Sequence, residues 1–371
     1  MPRVSPRPPH AAGSPQRCGL LDLGDYVQAL QWAPHTDALV AATLAGRVAV
    51  IDAISGKVTR ELPSHAGGAL AAAWSPEGEL LATGGQDGRV RLLAAASGRV
   101  VREDDGAGHA WVEHIAWAPD GSCVAAAAGR NLRVWSRAGR LLAEHAGHAS
   151  TITALLWQAH PARIITACYG GVQFWAVDKG KPVRRLEWKG SILSLALSPD
   201  GRYLAAGTQE GSVQTWRLQD GDALQMTGYP HKVRTLVWSA DGHLLATAGG
   251  STVIVWNFSG SGPAGKRPKL LEGHTAAVTD LAFSNQQARL VSVGADRALC
   301  GWQPVLSLSP LFRIEAAAPL ARLAIRVEAQ RAATADRNGR VSLWTLPSQQ
   351  PVSAEPQPRG EEREGRPRWT D

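Results

Sequence analysis

Three residues in one stretch, His274, Ser292 and Asp296, have the side-chain types of an acyl-transfer relay. That chemistry needs the serine exposed beside donors that can hold an oxyanion. The histidine pairs His145/His148 and His109/His114, three and five residues apart, have spacings seen among metal ligands. Zinc, however, requires three or four converging ligands. The four cysteines, Cys18, Cys123, Cys168 and Cys300, lie far apart and form no Cys-x-x-Cys pair, so they indicate neither a zinc knuckle nor a disulfide framework. No GxSxG elbow, HExxH pair or Walker loop occurs. The glycine-rich piece Ala248-Gly249-Gly250 falls at a strand turn, which makes it a hairpin tip rather than a phosphate cradle. The expectation is a chain with no catalytic residue, no metal and no cofactor.

The bulk properties bound what could position such residues. The chain has 371 residues, 44% hydrophobic and 19% charged, with a net charge of +7. Wholesale disorder would need less hydrophobicity and more charge. No run of 18 apolar residues exists, so no membrane-spanning helix is expected. The first twenty residues lack a continuous apolar segment, and the expected compartment is the cytoplasm. Only seven of the 39 basic residues are lysines, and the densest basic stretch, Lys266-Arg267-Pro268-Lys269, is short. A nucleic-acid interface would need a longer clustered stripe.

Internal repetition decides the fold. Residues 72–93 (AAWSPEGELLATGGQDGRVRLL), 195–216, 281–302 and 323–344 superimpose without gaps. A large apolar anchor stands third in each unit: Trp32, Trp74, Trp117, Trp157, Leu197, Trp238, Phe283 and Ile325, at spacings of 40 to 45 residues. These anchors define eight units, numbered here from first to eighth. Runs of four to six apolar or alternating residues recur in each, separated by three turns. Pro76-Glu77-Gly78, Pro119-Asp120-Gly121 and Pro199-Asp200-Gly201 mark the first turn. Asp87-Gly88, Glu210-Gly211 and Asn338-Gly339 mark the second, and Ser55-Gly56-Lys57 and its equivalents the third. Three turns imply four antiparallel strands per unit. One such sheet buries little alone, whereas stacking sheets around an axis buries both faces. The expected fold is all-β, a β-propeller of four-stranded blades, eight in number with seven as the alternative. Residues 20–23 would complete the last blade and latch the ring.

These repeats resemble the WD-repeat β-propeller family over residues 20–346. Gly108-His109, Gly147-His148 and Gly273-His274 match its Gly-His element, with Ser64-His65 and Pro230-His231 as degenerate forms. Trp135, Trp175, Trp216, Trp256, Trp302 and Trp344 match the Trp of its Trp-Asp element, although no Asp follows any of them. The resemblance implies a hydrogen-bonded structural tetrad, complete in the seventh unit as His274, Ser292, Asp296 and Trp302. That role accounts for the Ser/His/Asp grouping. The second unit keeps His65, Thr83 and Asp87 with Leu93 for Trp, and the fourth keeps His148, Thr166 and Trp175 without the Asp.

The resemblance also implies a non-enzymatic scaffold or adaptor that binds a protein or peptide. Loops entering the first strand and turns joining the second strand to the third share one face, called here the upper face. They offer Gln86, Trp111, Glu113, Arg130, Tyr169, Lys189, Gln209, Lys232 and Arg337. These are types enriched at binding hot spots, and their positive balance favours an acidic partner. The alternatives are a nucleic-acid-associated scaffold, a propeller enzyme resembling the quinone-dependent alcohol dehydrogenases, and a metal-linked regulator. A monomer is the default. Residues 1–19 and 347–371 are expected to be disordered tails, the latter carrying Trp369.

Overall fold

The computed structural model describes residues 14–104, 110–284, 289–326, 328 and 330–347. Every element among them is a strand. In chain order they are β1 (Gln16–Asp22), β2 (Val27–Trp32), β3 (Ala38–Thr43), β4 (Val48–Asp52), β5 (Lys57–Leu62), β6 (Ala69–Trp74), β7 (Leu80–Gly85), β8 (Val90–Ala94), β9 (Val100–Asp104) and β10 (Val112–Trp117). Next come β11 (Cys123–Ala128), β12 (Asn131–Ser136), β13 (Leu141–His145), β14 (Ala154–Gln158), β15 (Arg163–Trp175), β16 (Arg184–Leu197), β17 (Tyr203–Thr208), β18 (Val213–Arg217), β19 (Ala223–Met226) and β20 (Thr235–Trp238). The remainder are β21 (Leu244–Ala248), β22 (Val253–Asn257), β23 (Lys269–Leu271), β24 (Val278–Phe283), β25 (Leu290–Gly294), β26 (Ala298–Trp302), β27 (Phe312–Glu315), β28 (Leu320–Arg326), β29 (Arg331–Asp336) and β30 (Arg340–Thr345).

Composition explains each strand's place in its sheet. Second strands are covered on both faces and carry small apolar residues, so β11 (CVAAAA) and β17 (YLAAGT) are buried at every position. Outer strands such as β5 (KVTREL) alternate exposed and covered residues, as a half-solvated strand should. The first turns share a local chemistry. In Ser198-Pro199-Asp200-Gly201 the Ser198 hydroxyl donates to Asp200 Oδ1 at 2.5 Å and accepts the Tyr203 amide at 2.9 Å. Gly201 takes a φ of 69°, the left-handed region open to glycine. Ser239 and Asp241 repeat this device.

The strands form antiparallel sheets around an axis, an all-β propeller of four-stranded blades. Counted as hydrogen-bonded sheets there are seven, the alternative expectation, not eight. Six have four strands and the other joins β14 to β19. The cause is local. β15 pairs with β14 through Arg163–Ala167 and with β16 through Tyr169–Phe174, turning at Gly170-Gly171, whose φ angles are 97° and 133°. β16 likewise pairs with β15 through its first half and with β17 through Ile192–Leu197. The fourth and fifth sequence units therefore share one sheet.

The inner strands touch in a closed circuit: β2, β6, β10, β14, β16, β20, β24, β28 and again β2. The circuit is latched as the sequence suggests, with β1 pairing antiparallel to β30 beside β29 and β28. The latch strand is longer than residues 20–23. It starts at Gln16, opposite Thr345, so residues 16–19 are strand and not tail. Leu23, Trp32, Leu39 and Ile51 pack with Ala333, Val341 and Leu343 across this junction, so chain ends far apart in sequence share one core. The segments expected to be disordered beyond it, residues 1–13 and 348–371 with Trp369, lie outside the described residues.

Candidate functional site

The Ser/His/Asp grouping of the seventh unit is assembled but closed. His274 Nδ1 lies 2.9 Å from Asp296 Oδ1, and its Nε2 lies 2.7 Å from Ser292 Oγ. Ser292 is fully buried and also accepts the Trp302 indole N–H at 2.7 Å. A hydroxyl with no path to substrate and both partners fixed ties strands together; it cannot attack a carbonyl. Burial lowers the His274 pKa, so the ring stays neutral. Burial opposes ionisation of Asp296, but His274 and the Thr275 and Ala298 amides outweigh it and its pKa is lowered.

Other units satisfy the same buried groups with different residues. In the second, His65 bonds Asp87 at 2.8 Å and Thr83 at 3.0 Å. In the fourth, His148 bonds Thr166 at 3.0 Å, Trp175 donates to Thr166 at 2.9 Å, and the Arg130 carbonyl stands 3.0 Å from His148 Nδ1 where the Asp is missing. In the sixth, the expectation for Pro230-His231 is corrected. Tyr229 fills the histidine slot, bonding Thr247 at 2.7 Å and accepting the Trp256 indole N–H at 2.9 Å, while His231 is exposed. The signal was available, because Tyr229 precedes Thr247 by the 18 residues that separate His274 from Ser292. Gly108-His109 lies outside the described residues. His145 and His148 do not form a metal site, and no group of three or more His, Cys, Asp or Glu residues suited to a metal occurs among the described residues.

The anchor tryptophans do more than pack. Each indole N–H donates to a main-chain carbonyl in the preceding unit, one residue before that unit's own anchor. Trp32 reaches Ala324 (3.1 Å), Trp74 reaches Gln31 (3.3 Å), Trp117 reaches Ala73 (3.0 Å), Trp157 reaches Ala116 (2.9 Å) and Trp238 reaches Ala196 (3.1 Å). Leu197, Phe283 and Ile325 have no N–H to give. At those three junctions a threonine hydroxyl points the other way, into the following unit. Thr153 donates to Ile192 O (2.6 Å), Thr235 to Thr279 O (3.3 Å) and Thr279 to Leu320 O (2.9 Å). Sequence reasoning missed both sets, since the partners lie about 40 residues apart, and 292 apart for Trp32 and Ala324.

On this frame the upper-face residues fall into separate groups. Trp111 and Tyr169 stand 52% and 59% exposed. Tyr169 and Lys189 line one cavity of about 440 Å³ with Arg185 and Trp188. Lys232 and Arg337 line another of about 450 Å³ with Tyr26, Arg234 and Arg322. Gln86 sits half-buried against Gly67 and Gly68. Arg130 is held by the His148 carbonyl at 2.5 Å, and the Gln209 amide bonds Ser191 O. Glu113 is exposed on β10, and partial burial of its carboxyl raises its pKa. Arg234 and Arg322 were not singled out from the sequence, because they sit at the starts of first strands and not in turns.

Comparison with known proteins agrees with this architecture. Five segments, 56–92, 103–136, 180–217, 223–257 and 265–303, match the family described as WD domain, G-beta repeat. The chain belongs to the WD-repeat β-propellers. The match takes in five repeats where the sequence spacing gives eight. Among curated relatives, THO complex subunit 3 of Arabidopsis thaliana is 24% identical over 52% of this chain and 62% of its own length. Autophagy-related protein 16 of the same plant is 30% identical over 32% of this chain and 25% of its own length. An uncharacterized WD repeat-containing protein of Synechocystis is 33% identical over 31% of this chain and 33% of its own. The matches thus span less than two thirds of these relatives. The crystal structure of the computationally designed Ika8 protein shares the fold, with a TM-score of 0.76 at 22% identity over 89% of this chain and all of that one.

Proposed function

We propose that this chain is a non-catalytic scaffold that presents the upper face of its ring to a protein partner in the cytoplasm. The observation that carries the reading is the contrast between its two kinds of polar group. The Ser/His/Asp set that could do chemistry is sealed in the core, whereas Trp111, Lys232 and Arg337 stand exposed on loops of one face and Tyr169 on β15. Rigid loops bearing aromatic and cationic side chains bind with little ordering cost. Names of relatives that denote a complex subunit or an autophagy factor accord with an assembly role.

We infer further that the sheet of β14 to β19 acts as two blades, which gives the ring eight. The inner-strand circuit has eight members, and the indole bond from Trp238 to Ala196 O treats Leu197 as an anchor like the rest. The test of function is affinity purification from the native host with mass spectrometry, comparing the wild type with a Trp111→Ala/Tyr169→Ala variant. Specific partners that the double variant loses are expected. An identical set of proteins retained by both would overturn the upper-face reading. Imaging of a tagged chain reads the compartment.

A further inference from the structure

Four cations converge on the upper mouth of the ring. Lys232 and Arg234 precede β20, Arg322 is the third residue of β28, and Arg337 lies in the β29–β30 turn. All four line the cavity of about 450 Å³ that spans the sixth, seventh and eighth units and Tyr26 of the first. No carboxylate among the described residues lines it. Lys232, Arg234 and Arg337 are exposed. Arg322 is committed to Gln28 (2.8 Å to its carbonyl, 3.1 Å to Oε1) and lies 5.8 Å from the Tyr26 ring. The buried Asp280 carboxyl feels the charge of Arg322 but is not part of the cavity wall.

Elsewhere many of the arginines are neutralised directly. Arg47 pairs with Glu61, Arg89 and Arg91 with Glu103, Arg137 with Glu77 and Glu79, and Arg326 and Arg331 with Asp37. Like charges gathered in a concave, partly desolvated wall repel one another, and an anion entering the cavity relieves that repulsion. The rest of the lining selects the kind of anion. Ala248, Ala277, Val278 and Ala321 give an apolar wall, Thr235 and Thr279 are already bonded across strands, and the Gly249 and Gly250 carbonyls already accept the His231 and Val278 amides. Two rings line the cavity, Tyr26, which lies against Arg322, and the exposed His231, and they do not form a row of stacking platforms. A single-stranded nucleic acid would want stacking platforms along a basic track. An extended peptide with acidic and small apolar side chains matches the wall described here.

We propose that this cavity is the seat of a carboxylate-rich segment of the partner, with Lys232, Arg234 and Arg337 as the contacting cations and Arg322 as the fixed positive floor. The inference rests on the upper-face reading above and narrows it to one side of that face. The test is fluorescence anisotropy on the full chain with a labelled twelve-residue peptide of alternating Asp/Glu and Ala/Gly. A peptide with Asn/Gln in place of the acids and a uridine oligonucleotide of equal charge are run beside it. The acidic peptide should bind the wild type, weaken steeply with added salt, and lose about tenfold or more in affinity to Lys232→Glu/Arg337→Glu. The charge-matched variant Lys57→Glu/Lys181→Glu, in turns of the opposite face, should bind as the wild type does. Circular dichroism and melting confirm that each variant is folded. Equal acidic-peptide binding by both double variants, tighter binding of the oligonucleotide, or no difference between the acidic and amide peptides would overturn the seat. Partner capture that depends on Trp111 and Tyr169 would survive that result, so the two readings fail separately.

Discussion

The junctions between neighbouring units divide into two regions that reach the same end by opposite means. From the eighth unit round to the fourth, and again from the fifth to the sixth, an anchor indole reaches back and donates its N–H to the preceding unit. At the junctions entered by Leu197, Phe283 and Ile325, a threonine hydroxyl reaches forward. Each of the eight junctions thus has a polar tie. Apolar packing between sheets is non-directional, so it leaves the rotation of one sheet on the next loosely set. A hydrogen bond to a fixed carbonyl sets that angle, and a ring must have every angle right to close. At two of the indole-tied junctions another side chain also reaches forward. Ser194 donates to Val233 O (3.3 Å) beside the Trp238 bond, and Arg322 donates to Gln28 O beside the Trp32 bond at the closure.

The largest test of this comparison is at the closure. Trp32→Ala is expected to cost about 3–5 kcal/mol, the range for truncating a buried indole. Trp32→Phe, which keeps most of the packing and loses the N–H, should cost about 1 kcal/mol. Denaturant unfolding reads both, and a Trp32→Phe variant as stable as the wild type would mean that the indole bond adds nothing to packing.

Acid separates the regions next. Burial pushes His114 and His148, in the indole-tied part, down to about 4. Their unfolded-state pKa is near 6.5, so the unfolded chain takes up protons first. Stability is fully present above pH 6.5 and falls as pH drops toward 4, by on the order of 3 kcal/mol for each group at the lower end. Asp280, in the hydroxyl-tied part, is pushed up to about 6 by burial, against opposing bonds from the Leu323 and Leu281 amides. Its sign is reversed: the cost of its charge is felt above pH 6 and is relieved as pH falls toward 4. His114→Leu should flatten the loss between pH 6.5 and 4, and Asp280→Asn should steepen it. Unchanged profiles in melts across that window would contradict the assignment.

Smaller effects sharpen the picture. Tyr229→Phe strands the Trp256 N–H, while the Thr247 hydroxyl keeps its bond to Ile254 O at 3.1 Å, and should cost about 1–3 kcal/mol. Tyr229→His, placing the more usual residue in its slot, should recover part of that. Thr279→Val removes one forward tie and should cost about 1 kcal/mol. Ser194→Ala, which removes the forward tie of a doubly tied junction, should cost less, because Trp238 still holds that junction. Thermal melts of the two variants side by side check the order, and a larger loss for Ser194→Ala would contradict it.

The periodic anchors, the Pro-Asp-Gly turns and the latch were legible because each is encoded locally or at a constant interval. The seventh-unit tetrad was legible for the same reason. Substitutions that preserve a function while changing its chemistry were not. Tyr229 for histidine and the Arg130 carbonyl for aspartate satisfy the same buried partners with groups no motif names. The unbroken strand β16, which fuses two units into one sheet, leaves the repeat spacing untouched and so left no trace in it. The mouth cations were half visible. Turn residues Lys232 and Arg337 announced themselves, but the convergence of Arg234 and Arg322 with them depends on closing the circuit.

Closure is the claim beneath all of this, and native-state hydrogen exchange on β1 tests it most directly. If the N-terminal strand shuts the ring, the amides of Gln16–Asp22 paired to β30 should exchange only with global unfolding, at the same free energy as the amides of β29 and β30. Exchange of β1 at the rate of a free peptide, with β28 to β30 still protected, would show an open ring and contradict the account.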